Sequence, residues 1–91
     1  MEVEVLEKKE TKTNVSQGAK LTLHNDNWNS FDHVIECLIN VCKHHPHQAE
    51  QCTMLVHFKG ECVVKIGDTD ALNKMKIELE TRQLVVTLDK D

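Results

Sequence analysis

Residues 24–34 read HNDNWNSFDHV and crowd amide, carboxylate, hydroxyl and imidazole groups around the chain's one tryptophan. Asn, Asp and Ser are ordinary turn and cap residues, because their short side chains bond nearby backbone groups. Asn25, Asp26 and Asn27 are more acceptors than a single helix start needs. Such a stretch either caps a helix or holds something. Trp28 beside it reads as support for the turn or as a rim, not as a platform for a cofactor.

The other reactive side chains point to chemistry less strongly. His44, His45 and His47 lie together in KHHPH, and a histidine cluster can bind metal. They straddle a helix break, however, with no Cys or carboxylate at ligand spacing beside them, so they read as solvated surface histidines. His57, in LVHFKG, ends an apolar stretch and reads either as a satisfied, partly buried histidine or as a hydrogen-bond acceptor at a pocket rim. Cys37, Cys42, Cys52 and Cys62 form no C-x-x-C pair and match no zinc-finger spacing. They read as small buried hydrophobes in reduced form. No motif relates a Cys to a His as a thiol nucleophile requires. Asp26 and Asp32 are better explained by the turn and the helix start than as an acid/base pair. Three scattered glycines make no phosphate-cradling loop. The expectation is a non-enzymatic protein without metal or cofactor.

The elements that must position these groups follow from periodicity. Residues 1–19 are polar and aperiodic and read as a flexible tail, with EVEVL a possible edge strand. In KLTLH, residues 20–24, Leu21 and Leu23 alternate with Lys20, Thr22 and His24, the pattern of a half-buried strand. Ser30 is suited to cap a helix, with Asp32 in its first turn. Phe31, Val34, Ile35, Leu38, Ile39 and Cys42 make one apolar face. Pro46 ends that helix and opens a second, which buries Ala49, Cys52, Thr53 and Val56 and stops at Gly60. ECVVKI, residues 61–66, reads as a strand with Cys62, Val64 and Ile66 on one side. Asp68 caps a third helix with Ala71, Leu72, Met75 and Leu79 inward and a Glu78–Arg82 pair outside. QLVVTL, residues 83–88, is the final strand. The order β-α-α-β-α-β predicts an α+β fold: a two-layer sandwich of a three-stranded antiparallel sheet and three helices, over residues 20–91.

Length and charge bound the function. The chain has 91 residues, enough for one small domain. Its net charge of −4, with both signs mixed, argues against a nucleic-acid binder. No apolar run is long enough to span a bilayer. The N-terminus has no apolar signal region, so the expectation is a cytoplasmic protein.

NDNWNSF followed by an apolar helix, and then MLVHFKG at residues 54–60, resembles the ClpS family, the substrate adaptors of the Clp AAA+ proteases. The resemblance covers residues 20–88 and includes the order of elements. It implies a monomeric adaptor that docks on the N-terminal domain of a Clp-family ATPase. Its ligands would be proteins that begin with a bulky apolar residue, Leu, Phe, Trp or Tyr. Carried onto this chain, Asn25, Asn27 and His57 meet the ligand's α-ammonium, and Asp26 adds negative charge nearby. Asn29, Phe31, Val34, Thr53, Val56 and Leu84 line the side-chain cavity. The chain departs from the family pattern at four of these places. Asn27 replaces a usual second aspartate, and Asn29 sits where Thr is usual. Phe31 stands where Met is common, and Thr53 where a larger apolar residue is common. The alternatives are an interaction module that docks on the same ATPase without binding N-termini, and a small metal- or thiol-binding protein.

Overall fold

The computed structural model describes residues 18–90. The order of elements is β1 (Gly18–His24), α1 (Phe31–Cys42), α2 (Pro46–Lys59), β2 (Glu61–Asp68), α3 (Thr69–Thr81) and β3 (Val85–Lys90). The strands form one sheet in the order β2-β1-β3, with both pairings antiparallel. This is the expected β-α-α-β-α-β sandwich, with three helices packed on a three-stranded sheet. The possible EVEVL strand lies outside the described residues.

Local chemistry sets most of the boundaries. The Ser30 hydroxyl accepts from the His33 N–H at 3.1 Å and caps α1. Lys43 closes that helix in a left-handed conformation with φ 60°. Pro46 occupies the first position of α2, where its missing N–H costs no helical bond. Gly60, at φ 94°, ends α2, a conformation glycine adopts without a Cβ penalty. Asp68 caps α3 by accepting from the Ala71 N–H at 3.1 Å. Glu78 and Arg82 pair at 3.2 Å on its exposed side, a contact that contributes a few tenths of a kcal/mol.

The core is aliphatic and continuous. Leu21, Leu23, Leu38, Leu72 and Leu79 are its largest fully buried side chains, with Cys37 and Cys42 beside them. Ala19 is also fully buried, and β1 covers Gly18–His24, two residues more than periodicity suggested. At the other end β3 begins at Val85, because Gln83 takes φ 77° and the chain turns there. Ala71 is exposed, so α3 packs through Leu72, Met75 and Leu79.

Two expectations fail at one place, and for one reason. Leu21 pairs with Lys65 but Thr22 pairs with Val63, so Val64 is an extra residue in β2. Such a bulge reverses the facing of every residue beyond it. Cys62 and Val64 remain on the core side, whereas Ile66, expected beside them, faces outward and is 67% exposed. Lys65 comes inward instead, and its Nζ donates to the Cys42 carbonyl at 3.0 Å. The irregular strand also explains His44, which is buried and not solvated. Its Nε2 donates to the Val64 carbonyl at 2.7 Å, the peptide unit that the bulge leaves out of the ladder. His45 has a local use: its Nδ1 accepts from the His47 N–H at 3.2 Å and caps α2.

Candidate functional site

A cleft of about 310 Å³ opens where the β1–α1 turn meets α1 and α2. It is lined by Leu23, His24, Asn25, Asp26, Asn27 and Asn29 from the strand end and turn, by Phe31 and Val34 from α1, and by Thr53, Val56 and His57 from α2. Nine of the ten residues singled out from the sequence therefore surround one space. The tenth, Leu84, is buried in the core and is not among the lining residues. Leu23 and His24 were not anticipated as lining. They simply end β1, and the chain has to pass along the cleft to enter the turn.

Asp26 organises the turn. One carboxylate oxygen accepts from the backbone N–H groups of Trp28 and Asn29 at 2.9 and 2.8 Å, and the other from the Asn29 side-chain amide at 2.8 Å. Burial alone would raise its pKa. The hydrogen bonds from Asn29 and Trp28, with the charge of His33, outweigh burial and hold the carboxyl below its ordinary value. Asn29 also donates to the Gln83 carbonyl at 2.8 Å, which moors the turn to the α3–β3 connection. Trp28 is 81% exposed, and its backbone N–H, not its ring, serves the turn.

Asn25 and Asn27 are left with their side chains uncommitted: neither makes a side-chain hydrogen bond within the described residues. The backbone of Asn25 is tied across the cleft, its N–H donating to the Gly60 carbonyl at 2.9 Å. That bond sets the polar turn against the last turn of α2, which carries His57. The His57 imidazole lies edge-on to two rings, Phe31 at 5.6 Å between centroids and Phe58 at 4.9 Å. It makes no hydrogen bond within the described residues, so its ring nitrogens remain available.

Deeper in, the cleft is apolar. Val34 and Val56 are buried, and Thr53, also buried, spends its hydroxyl donor on the Ala49 carbonyl at 2.8 Å. The arrangement thus combines acceptors at the mouth with an aliphatic floor, a combination suited to an ammonium joined to an apolar side chain.

The cysteines and histidines outside the cleft behave differently. All four thiols are free. Burial pushes Cys37 up and Cys42 to about 11; burial and then a hydrogen bond with Cys62 push Cys52 to about 12. Those three are therefore thiols and not thiolates at neutral pH. Among the described residues no group of three or more His, Cys, Asp or Glu is arranged to hold a metal ion. No helix among them is long and apolar enough to cross a membrane.

Comparison with known proteins agrees with the fold. The family model described as the ATP-dependent Clp protease adaptor protein ClpS matches residues 4–87. The solved structure of Agrobacterium tumefaciens ClpS2 bound to L-phenylalaninamide superposes with a TM-score of 0.76 at 21% identity, covering 84% of this chain and 99% of that one. No curated protein matches the chain. With the family model spanning nearly the whole sequence, the chain belongs to the ClpS family of Clp protease adaptors.

Proposed function

We propose that this adaptor captures proteins through a free N-terminal amino group followed by a bulky apolar side chain, and hands them to a Clp-family AAA+ ATPase through that ATPase's N-terminal domain. The observation that carries the reading is the meeting of Asn25, Asn27 and His57 at the mouth of a cleft floored by Val34, Thr53 and Val56. An ammonium has three donors and no acceptor. Two amide oxygens and a neutral imidazole nitrogen supply three acceptors, and Asp26, kept ionised, adds a favourable field. The ligand of the Agrobacterium protein, L-phenylalaninamide, has this chemistry, a free α-amine beside an aromatic side chain.

Magnitudes suit an adaptor that must release its cargo. Hydrogen bonds to a charged group contribute about 1.5–3 kcal/mol each, and burying a Leu or Phe side chain contributes about as much. Association and ordering offset part of that. The balance falls near the micromolar range, about 8 kcal/mol. In this reading the protein acts as a cytoplasmic monomer without a cofactor. Residues 1–19 are a tail needed for delivery and not for binding, and residues 20–91 form the binding core.

A titration of the full chain with a Phe-headed peptide, its acetylated form and a Met-headed control tests the proposal. Micromolar binding of the free Phe peptide alone is expected. Equal binding of free and acetylated peptides, or binding of neither, overturns it. The second of those outcomes, with retained binding to the ATPase, would identify a docking module that carries no N-terminal ligand.

A further inference from the structure

We infer that His33 is a positioning residue for the ligand site: its imidazole donates to the Arg82 carbonyl and, with Asn29, fastens the polar turn to the end of α3. The inference rests on the reading of the cleft as the place where an N-terminal amine binds. α3 ends in a closed turn. The Gln83 N–H donates to the Glu80 carbonyl at 2.9 Å and the Leu84 N–H to the Leu79 carbonyl at 3.1 Å, the paired bonds of a Schellman motif. Leu79 and Leu84, the apolar residues that such a motif brings together, are both buried in the core. The residue that turns left-handed is Gln83, at φ 77°, where a glycine is usual. Strain of that kind persists where the surrounding structure holds it, and it collects at functional sites. The Arg82 and Gln83 carbonyls take no backbone donor among the described residues. Both receive side-chain donors from the segment that enters α1. His33 Nε2 donates to the Arg82 carbonyl at 2.9 Å, and the Asn29 amide to the Gln83 carbonyl at 2.8 Å.

The arrangement fixes a small rigid unit from two sides. Asp26 knits residues 26–29 together through its three hydrogen bonds. The Asn25 N–H ties one side of that unit to Gly60 at the end of α2. A single tie would let the unit swing and carry Asn25 and Asn27 with it. Asn29 and His33 add ties to a different element, the end of α3, and so remove that freedom. His33 joins the helix start to the same anchor, because its backbone N–H donates to the Ser30 hydroxyl that caps α1. Its ring is half-buried. The Cys37 sulfur lies 3.6 Å from the same ring nitrogen, which leaves the Arg82 carbonyl as the nearer acceptor. An ammonium needs three acceptors at once. It binds more tightly when they already stand in place, since no ordering cost is then met on binding.

The test compares the full wild-type chain with His33→Phe, which keeps a ring and removes the donor, and His33→Gln, whose amide can donate from about the same place. Amide hydrogen exchange is followed by NMR without ligand. In His33→Phe the amides of Asn25, Trp28 and Asn29 should exchange faster, while those of Leu21 and Leu23 in β1 keep their wild-type rates. His33→Gln should restore the slow exchange. A Phe-headed peptide should bind His33→Phe about fivefold more weakly than wild type, the size of one lost hydrogen bond, and His33→Gln nearly as well as wild type. Nitrogen NMR should show the wild-type imidazole protonated at Nε2. A bare Nε2, wild-type exchange in His33→Phe, or wild-type binding by it overturns the assignment. So does exchange that quickens equally at Leu21 and Leu23, or a folded His33→Gln that behaves like His33→Phe. The exchange measurement needs no ligand, so it decides whether His33 holds the turn even if the wild-type chain binds no N-terminus.

Discussion

The backbone N–H of Asn25 donates to the carbonyl of Gly60 at 2.9 Å, and this one bond joins the polar turn after β1 to the end of α2. Gly60 can take this position because its φ of 94° lies in the left-handed region, and no neighbouring atom approaches the place of a Cβ. A side chain there would therefore meet no clash but would strain the backbone. Gly60→Ala is expected to lower stability by about 1 kcal/mol. It should also shift His57 relative to Asn25 and weaken peptide binding by more than the loss of stability explains. Urea unfolding and a peptide titration on the same preparation check both parts.

Asn27 gives a prediction of opposite sign. A carboxylate opposing an ammonium forms a stronger, charge-assisted bond than an amide does. Asn27→Asp should tighten binding of a Phe-headed peptide several-fold, with a steeper loss as salt is added. His57→Ala should remove much of the affinity, because the ammonium loses one of its acceptors. An Asn27→Asp variant that binds no better would show that the ammonium does not meet residue 27.

Asp26 is expected to matter more for the turn's integrity than for direct contact. Its three hydrogen bonds are all internal to residues 26–29, and its pKa is lowered in the folded state. A carboxylate of that kind contributes stability above its unfolded value, about 3.9, and loses it as pH falls through the lower folded value. The turn should thus be fully braced from about pH 5 upward and should loosen in stronger acid. Asp26→Asn cannot accept from Asn29 at both oxygens and should cost about 1 kcal/mol at neutral pH, with discounting for partial exposure. The difference in urea midpoint between wild type and variant should shrink from pH 6 to pH 3. A constant difference would assign Asp26 no such role.

What could be read from the sequence was local, and what could not depended on partners far along the chain. Ser30, Pro46, Gly60 and Asp68 act within a few residues of themselves, so their capping roles were legible, as was the polar turn that precedes α1. The pairing register was not. Alternation in ECVVKI predicts Ile66 beside Val64, but the bulge at Val64 is a property of β1 and β2 together. His44 looked like surface because its partner is a carbonyl 20 residues away. Leu84 looked like a lining residue by resemblance, yet the turn at Gln83 leaves it in the core ahead of β3.

The ring of Phe31 bears on the choice of ligand side chain. It lines the cleft, is 40% exposed, and stands at 74° to the His57 imidazole. A ligand whose ammonium sits beside His57 must carry its Cβ close to that ring. β-branched residues have two heavy atoms on Cβ and cannot swing one aside. Phe, Leu, Tyr and Trp have only one and can pass toward Thr53 and Val56 at the floor. Wild-type protein is therefore expected to bind Phe- and Leu-headed peptides at least about tenfold more tightly than Ile- or Val-headed ones, a difference of about 1.4 kcal/mol. Phe31→Ala should narrow that gap by admitting Ile and Val. It should also weaken Phe and Leu somewhat, since the edge-on ring no longer orients His57. Thr53 works at the other end: Thr53→Met fills the floor and should penalise the long Trp side chain more than Leu. Competition titrations with peptides that differ only in the first residue separate the two effects. If the wild type bound Ile- and Leu-headed peptides alike, Phe31 would not be the gate, and the preference would have to arise at the floor.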